Sequence, residues 1–167
     1  MVSGYQAAAA AGTMTEAQAK KAAAEAIRLA RYDTESAKPD HFFVLTTAGV
    51  GVMHPYLKTW DGQASQLGIL NKQRFDTVKA MVDAVAASKT DPTHVQLMIA
   101  KNGDQDSTAT LYPKLHCLVK VLGWDWIVGS GLCMDDVEGP LHTAVLQETA
   151  WWPTCSVDAG RGRAERA

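Results

Sequence analysis

The sequence predicts an α+β domain: a long N-terminal helix along a five-stranded antiparallel sheet, with a second helix and a short C-terminal one. Three observations carry this. Alanine and isoleucine recur at helical intervals between residues 15 and 32. An aromatic and β-branched run at 41–46 meets a second short run through the turn Ala48-Gly49-Val50-Gly51. Three further apolar runs, 94–100, 111–122 and 126–133, follow one another through short polar turns. Strands joined this way pair antiparallel, because parallel pairing needs a long crossover.

In chain order, residues 1–14 are small and low in complexity and are expected to be a flexible start or an extension of the next helix. Thr13 with Glu16, and Thr15 with Gln18, have the spacing of a capping box and open the first helix. Its stripe of Ala19, Ala23, Ala26, Ile27 and Ala30 is built of small residues and invites close approach by another helix, so self-association is expected there. Residues 33–40 read as a loop. The strand at 41–46 and its partner at 52–54 end on His54-Pro55, which puts an imidazole where the chain turns away. Residues 55–70 are irregular. A second helix opens at Asn71, buries Phe75, Val78, Val82, Val85 and Ala86, and stops before Asp91-Pro92. A hairpin loop at 102–107 joins two of the later strands. Pro140 starts a last helix to about residue 150, and an unstructured tail follows. The boundaries are thus a flexible segment at 1–14, one domain at 15–150 and a tail at 151–167.

The 167 residues suit a single domain. Apolar content of 47% and charged content of 20% are those of an ordinary globular protein, and a formal charge of −2 gives no case for nucleic acid or an anionic membrane. Cys117, Cys133 and Cys155 form no metal-ligand spacing; they are three free thiols, or one disulfide and one thiol. No apolar stretch is long enough to span a bilayer, and the alanine run at 7–11 is too short and lacks the basic flank of a secretory signal. Any receptor anchors are absent from this sequence. Nucleophile-elbow, phosphate-loop and metal-spaced His or Cys patterns are also absent, so no enzyme, cofactor or metal is expected. His41 and His54 lie on neighbouring strands and could approach each other, but two histidines without a third ligand do not make a metal site.

The string Arg31-Tyr32, His41-Phe42-Phe43-Val44, Met53-His54-Pro55, Lys114-Leu115, Trp124-Asp125-Trp126-Ile127-Val128-Gly129-Ser130-Gly131 and Asp135-Asp136-Val137 resembles the single Cache domains, extracytoplasmic sensors of bacterial chemoreceptors and sensor kinases. The likeness runs over about residues 15–137. It implies a PAS-like sheet beside a long helix, a periplasmic location, a homodimer through that helix and a small ligand, often a short carboxylate, between the sheet and its covering segments. Three places depart from the family pattern. His41 stands where an aromatic Tyr is usual, the strand at 94–100 lacks its aromatics, and Lys114-Leu115-His116-Cys117 replaces a Lys-Leu-Ser-Tyr pattern.

A bound carboxylate must exchange water for a cation or fixed N–H and O–H groups. The ligand-binding candidates are His54 and Lys114, at positions that match the family, with His116, Trp60, Tyr112 and Arg74; Tyr56 is a further wall candidate. Each has a plain structural alternative: His54 as a strand cap, Lys114 and Arg74 as solvated cations, and the aromatics as loop packing. Period-two alternation puts Lys114, His116, Leu118 and Lys120 on one strand face, and Leu115, Cys117, Val119 and Val121 on the other, which is expected to lie against a helix. Arg31 is expected to complement the dipole of the first helix, and Trp124 and Trp126 to be core and turn residues. The expected function is a non-catalytic sensor domain for a short organic acid, signalling through its terminal helices. A stand-alone binding module, or a scaffold with a degenerate pocket serving in dimerisation, is the alternative.

Overall fold

The computed structural model describes residues 1–32, 40–62, 76–100 and 110–135. The expected hairpin loop at 102–107, the start of the second helix at 71–75 and everything from residue 136 on, including the expected last helix and tail, lie outside the described residues.

The elements are α1 (Val2–Ala10), α2 (Glu16–Leu29), β1 (Arg31–Tyr32), β2 (Asp40–Thr46), β3 (Gly51–Met53), a 3-10 turn (Lys58–Trp60), α3 (Thr77–Ala87), β4 (Thr93–Ala100), β5 (Leu111–Val121) and β6 (Trp126–Cys133). The sheet is antiparallel in the order β1-β2-β6-β5-β4, with β3 paired to β2 off that path. Two cores lie on its two faces. On one face, Ala19, Ala23, Ala24 and Ile27 of α2 meet Val44, Met53, Trp124 and Trp126. On the other, Val78 and Met81 of α3 meet Phe43, Leu45, Leu97, Leu118 and Ile127. The fully buried Val44, Leu45, Met53, Leu118 and Ile127 each contribute about 1.5–3 kcal/mol through burial.

The structure corrects the sequence reading at several points. Residues 2–10 form a helix rather than a flexible start: an alanine run has high helix propensity, and Val2, Tyr5 and Ala9 pack on the α2 core. A hydrogen bond from Gln6 Nε2 to the Leu122 carbonyl (2.6 Å) ties α1 to the β5–β6 turn. The capping box at Thr15 and Gln18 is formed, but α2 ends at Leu29. Arg31 and Tyr32 instead pair with His41 and Asp40, and Arg31 donates to the Arg28 and Ala30 carbonyls at the helix end (2.5 and 2.7 Å). The small-residue stripe of α2 faces the protein's own sheet, so it offers no surface for self-association. In α3, Asp76 caps the helix by accepting from the Lys79 amide (2.8 Å), and Met81 is buried with Val78 while Ala86 is exposed.

The two faces of β5 are also reversed from expectation. Lys114 and His116 are buried (5% and 3% exposed), whereas Leu115 and Val119 are 37% and 40% exposed. Of that apolar face, Val121 packs on the core cluster to which α2 contributes. Cys117 opposes Ser130 and Cys133 opposes Lys114, an odd offset that puts the two thiols on opposite faces, and neither is in a disulfide.

Candidate functional site

His41 of β2 and Lys114 and His116 of β5 share the α3 face of the sheet, with two glycines of β6 between them. His116 is registered opposite Gly131, and Gly129 lies between Phe43 and Leu118. A Cβ on Gly131 would come within 2.8 Å of His116 Cδ2 and 2.9 Å of Lys114 Cε; one on Gly129 would fall 2.3 Å from Phe43 Cζ. Glycine at both positions therefore lets the side chains of the flanking strands close over β6. This is the physical content of the Val-Gly-Ser-Gly stretch.

His54 arrives from the other side. The strand β3 stops at Met53, and Pro55 turns the chain so that His54 meets His41. Its Nδ1 accepts from the backbone amides of Tyr56 and Leu57 (3.2 and 3.1 Å), and its Nε2 lies 3.2 Å from His41 Nε2. Tyr56 packs edge-on to His41 and Trp60 edge-on to His54, with ring centroids 4.8 and 5.1 Å apart. Phe43 lies below, with its ring nearly parallel to that of His54 and 6.3 Å away. Lys114 Nζ stands 3.7 Å from Asp40 Oδ1, and both residues are buried.

Charge in the cluster is scarce. Burial, then the neighbouring His54 and the cations Lys114 and Arg31, push the His41 imidazole down to about 3. Burial, followed by Lys114 and two arginines, pushes His54 down to about 4. Burial and Lys114 bring His116 to about 4 against the opposing pull of the Lys114 and Val95 carbonyls. All three rings are neutral at neutral pH. Two of their nitrogens, His41 Nδ1 and His116 Nδ1, are buried and meet no hydrogen-bond partner among the described residues.

A clamp joins this cluster to α2. Arg28 donates to the His54 carbonyl (3.1 Å) and to Asp61 Oδ2 (2.6 Å), while Asp61 Oδ1 accepts from the His54 amide (3.3 Å). Arg28 and Asp61 also border a concavity of about 360 Å³ beside Lys20, Val52 and Trp126. Arg28 there is paired with Glu25 and Asp61, and Lys20 with Glu16, while the buried unpartnered polar atoms among the described residues are those of His41 and His116, so the histidine cluster is the better candidate.

Of the residues singled out by sequence, Lys114, His116, His54 and Trp60 come together. Tyr112 is half-buried on the same face of β5, two residues before Lys114. Arg74 lies outside the described residues. His41 and Asp40 were missing from the ligand-binding candidates; the departure at His41 from the family aromatic was the signal that marked it. Among the described residues no group of three His, Cys, Asp or Glu side chains is placed to hold a metal. His54 Nε2 is no metal ligand either, since Nδ1 accepts hydrogen bonds and the ring proton must occupy Nε2.

Residues 1–147 match the model of Single Cache domain 2. The chain is 30% identical over 135 residues to the methyl-accepting chemotaxis protein McpP of Pseudomonas putida; the match covers 80% of this chain and 23% of that protein's length. It is similar in structure to a periplasmic sensor domain of a chemotaxis protein (30% identity, TM-score 0.66), with 79% of this chain and 84% of that one covered. A Cache chemosensory domain that recognises carboxylic acids is similarly close (27% identity, TM-score 0.67, 79% and 82% covered). No described helix is long and apolar enough to cross a membrane. By the match over most of its length and by its fold, the chain belongs to the single Cache domain family, the ligand-binding and non-catalytic sensor modules found in chemotaxis receptors.

Proposed function

We propose that this domain senses a short-chain carboxylate on the extracytoplasmic side of a chemoreceptor or sensor kinase, holding it beside Lys114 and the three imidazoles above Gly129 and Gly131. The observation that carries the reading is the buried Lys114 with two buried imidazole nitrogens on the same sheet face that meet no hydrogen-bond partner among the described residues. A carboxylate leaving water needs a cation and N–H donors, and this cluster holds both. A relative that recognises carboxylic acids supports the ligand class. A degenerate scaffold would be expected to fill this space with apolar side chains, and the burial of a lysine and two histidines argues against it.

Ligand that draws on His41 acts on His54 and, through the Arg28–Asp61 clamp, on the end of α2, a route for a small helix displacement. A homodimer through the first helices would use the outer face of α2 around Lys21 and Glu25.

The test is a thermal-shift screen against short carboxylates, amino acids, amines and purines, with calorimetry on each hit. A ligand at 100 times its dissociation constant adds about 2.7 kcal/mol of stability. Stabilisation by carboxylates that disappears in Lys114→Met supports the reading. Silence of a folded protein toward every carboxylate refutes it.

A further inference from the structure

We propose that His41 is the specificity-determining donor of this site: His54 holds the His41 ring in the tautomer with its proton on Nδ1, and that N–H bonds a ligand oxygen. The inference rests on the carboxylate reading above and names the group that discriminates.

The tautomers follow from the positions of the heavy atoms. His54 Nδ1 accepts two backbone amides, from Tyr56 and Leu57, so the single proton of the neutral ring sits on Nε2. That Nε2–H points at His41 Nε2, 3.2 Å away, which must then accept. The proton of neutral His41 is thereby fixed on Nδ1, the nitrogen that is buried without a partner. A relay runs from two backbone amides through one imidazole to a second, and ends on a donor that meets no acceptor among the described residues.

Leaving such a donor unpaired forfeits the solvation it had in water, and a folded chain tolerates that where the group serves another molecule. The groups around His41 require the help of a neutral donor. Asp40 on β2 already faces Lys114 on β5, so this pair brings no net charge. Arg31 on β1 lies over Tyr56 and bonds the end of α2, and Arg28 is paired with Asp61. His54 presents no free ring nitrogen, and His116 on β5 is neutral. An incoming carboxylate therefore shares Lys114 with Asp40 and takes the rest of its stabilisation from N–H groups. A ligand N–H or ammonium at the same point would face the His41 N–H, donor against donor, and be rejected.

The experiment uses the full chain labelled with 15N-histidine, with acetate and propionate as probes. Long-range 15N–1H spectra of the unliganded protein are expected to show His54 protonated at Nε2 and His41 at Nδ1; an Nε2-protonated His41 overturns the proposal whatever the ligand. Acetate is then expected to shift the His41 Nδ1–H resonance. His41→Phe should weaken acetate and propionate at least tenfold, while His41→Asn, whose amide occupies the Nδ1 position, should lose far less. If His41→Phe does not fold, His41→Gln replaces it, since its amide reaches the Nε2 position and should not rescue. In His54→Phe the His41 tautomer should become mixed, a change that loss of packing alone does not produce. Unaltered affinity in His41→Phe or His41→Gln refutes this role while leaving the carboxylate reading in place. If neither probe binds the unsubstituted protein, the carboxylate reading falls and this role of His41 falls with it.

Discussion

Acidification should unfold this protein through its three buried imidazoles, and the size of the effect follows from their environment. An unfolded histidine titrates near 6.5, whereas His41 is held near 3 and His54 and His116 near 4, chiefly by burial. A base whose folded pKa is lowered binds fewer protons folded than unfolded, so stability rises with pH across the interval and is lost as pH falls below 6.5. At pH 5 the unfolded imidazole is nearly all protonated and the folded one nearly all neutral. The loss is then about 1.5 pH units at about 1.4 kcal/mol per unit, or about 2 kcal/mol for each ring and about 6 kcal/mol for the three. That approaches the whole stability of an ordinary domain, about 5–15 kcal/mol. The assay is urea unfolding at pH 7, 6 and 5 in phosphate and sulfonate buffers, because acetate is a candidate ligand. His116→Leu should lessen the pH 7 to 5 loss by about one third, about 2 kcal/mol. A fall of less than about 2 kcal/mol in the unsubstituted protein, or an unchanged slope in His116→Leu, would refute the claim that the rings are buried and neutral.

Other consequences are independent of the titration. Gly131→Ala puts a methyl 2.8 Å from His116 and 2.9 Å from Lys114, so it should cost about 1–3 kcal/mol in urea unfolding and weaken any carboxylate found by calorimetry. Arg28→Met removes the bonds to the His54 carbonyl and Asp61; about 1–3 kcal/mol should be lost, and amide exchange should quicken at the end of α2 and around His54 while β4–β5 protection falls no more than the global loss requires. Thr15→Ala breaks the capping box of α2 and should cost about 0.5–2 kcal/mol, read as a lower thermal midpoint with ligand affinity unchanged.

Much of the architecture was legible in the sequence because it is set by near neighbours. The strand at 126–133 falls where the alternating apolar run and the Gly123-Trp124-Asp125 turn put it. The Thr15–Gln18 cap and the stop at His54-Pro55 are likewise local chemistry. Residues of the proper chemical type, Lys114, His54 and His116, could be picked out on the same grounds. Which face of β5 is buried could not, because an apolar face and a Lys-His face alternate equally well. Burial follows from what lies opposite, and that is fixed by β2 and β5 flanking β6. The roles of the histidines were hidden for the same reason. His41 and His54 are 13 positions apart, and only the pairing of β2 with β3 and the turn at Pro55 sets their ring nitrogens 3.2 Å apart. The Arg28–Asp61 clamp spans 33 positions and three elements. Sequence determined the elements and the kinds of groups this protein carries, through interactions that reach a few residues along the chain. Tertiary structure alone decided which polar groups lose water together, since desolvation and hydrogen-bond partners depend on contacts between distant segments.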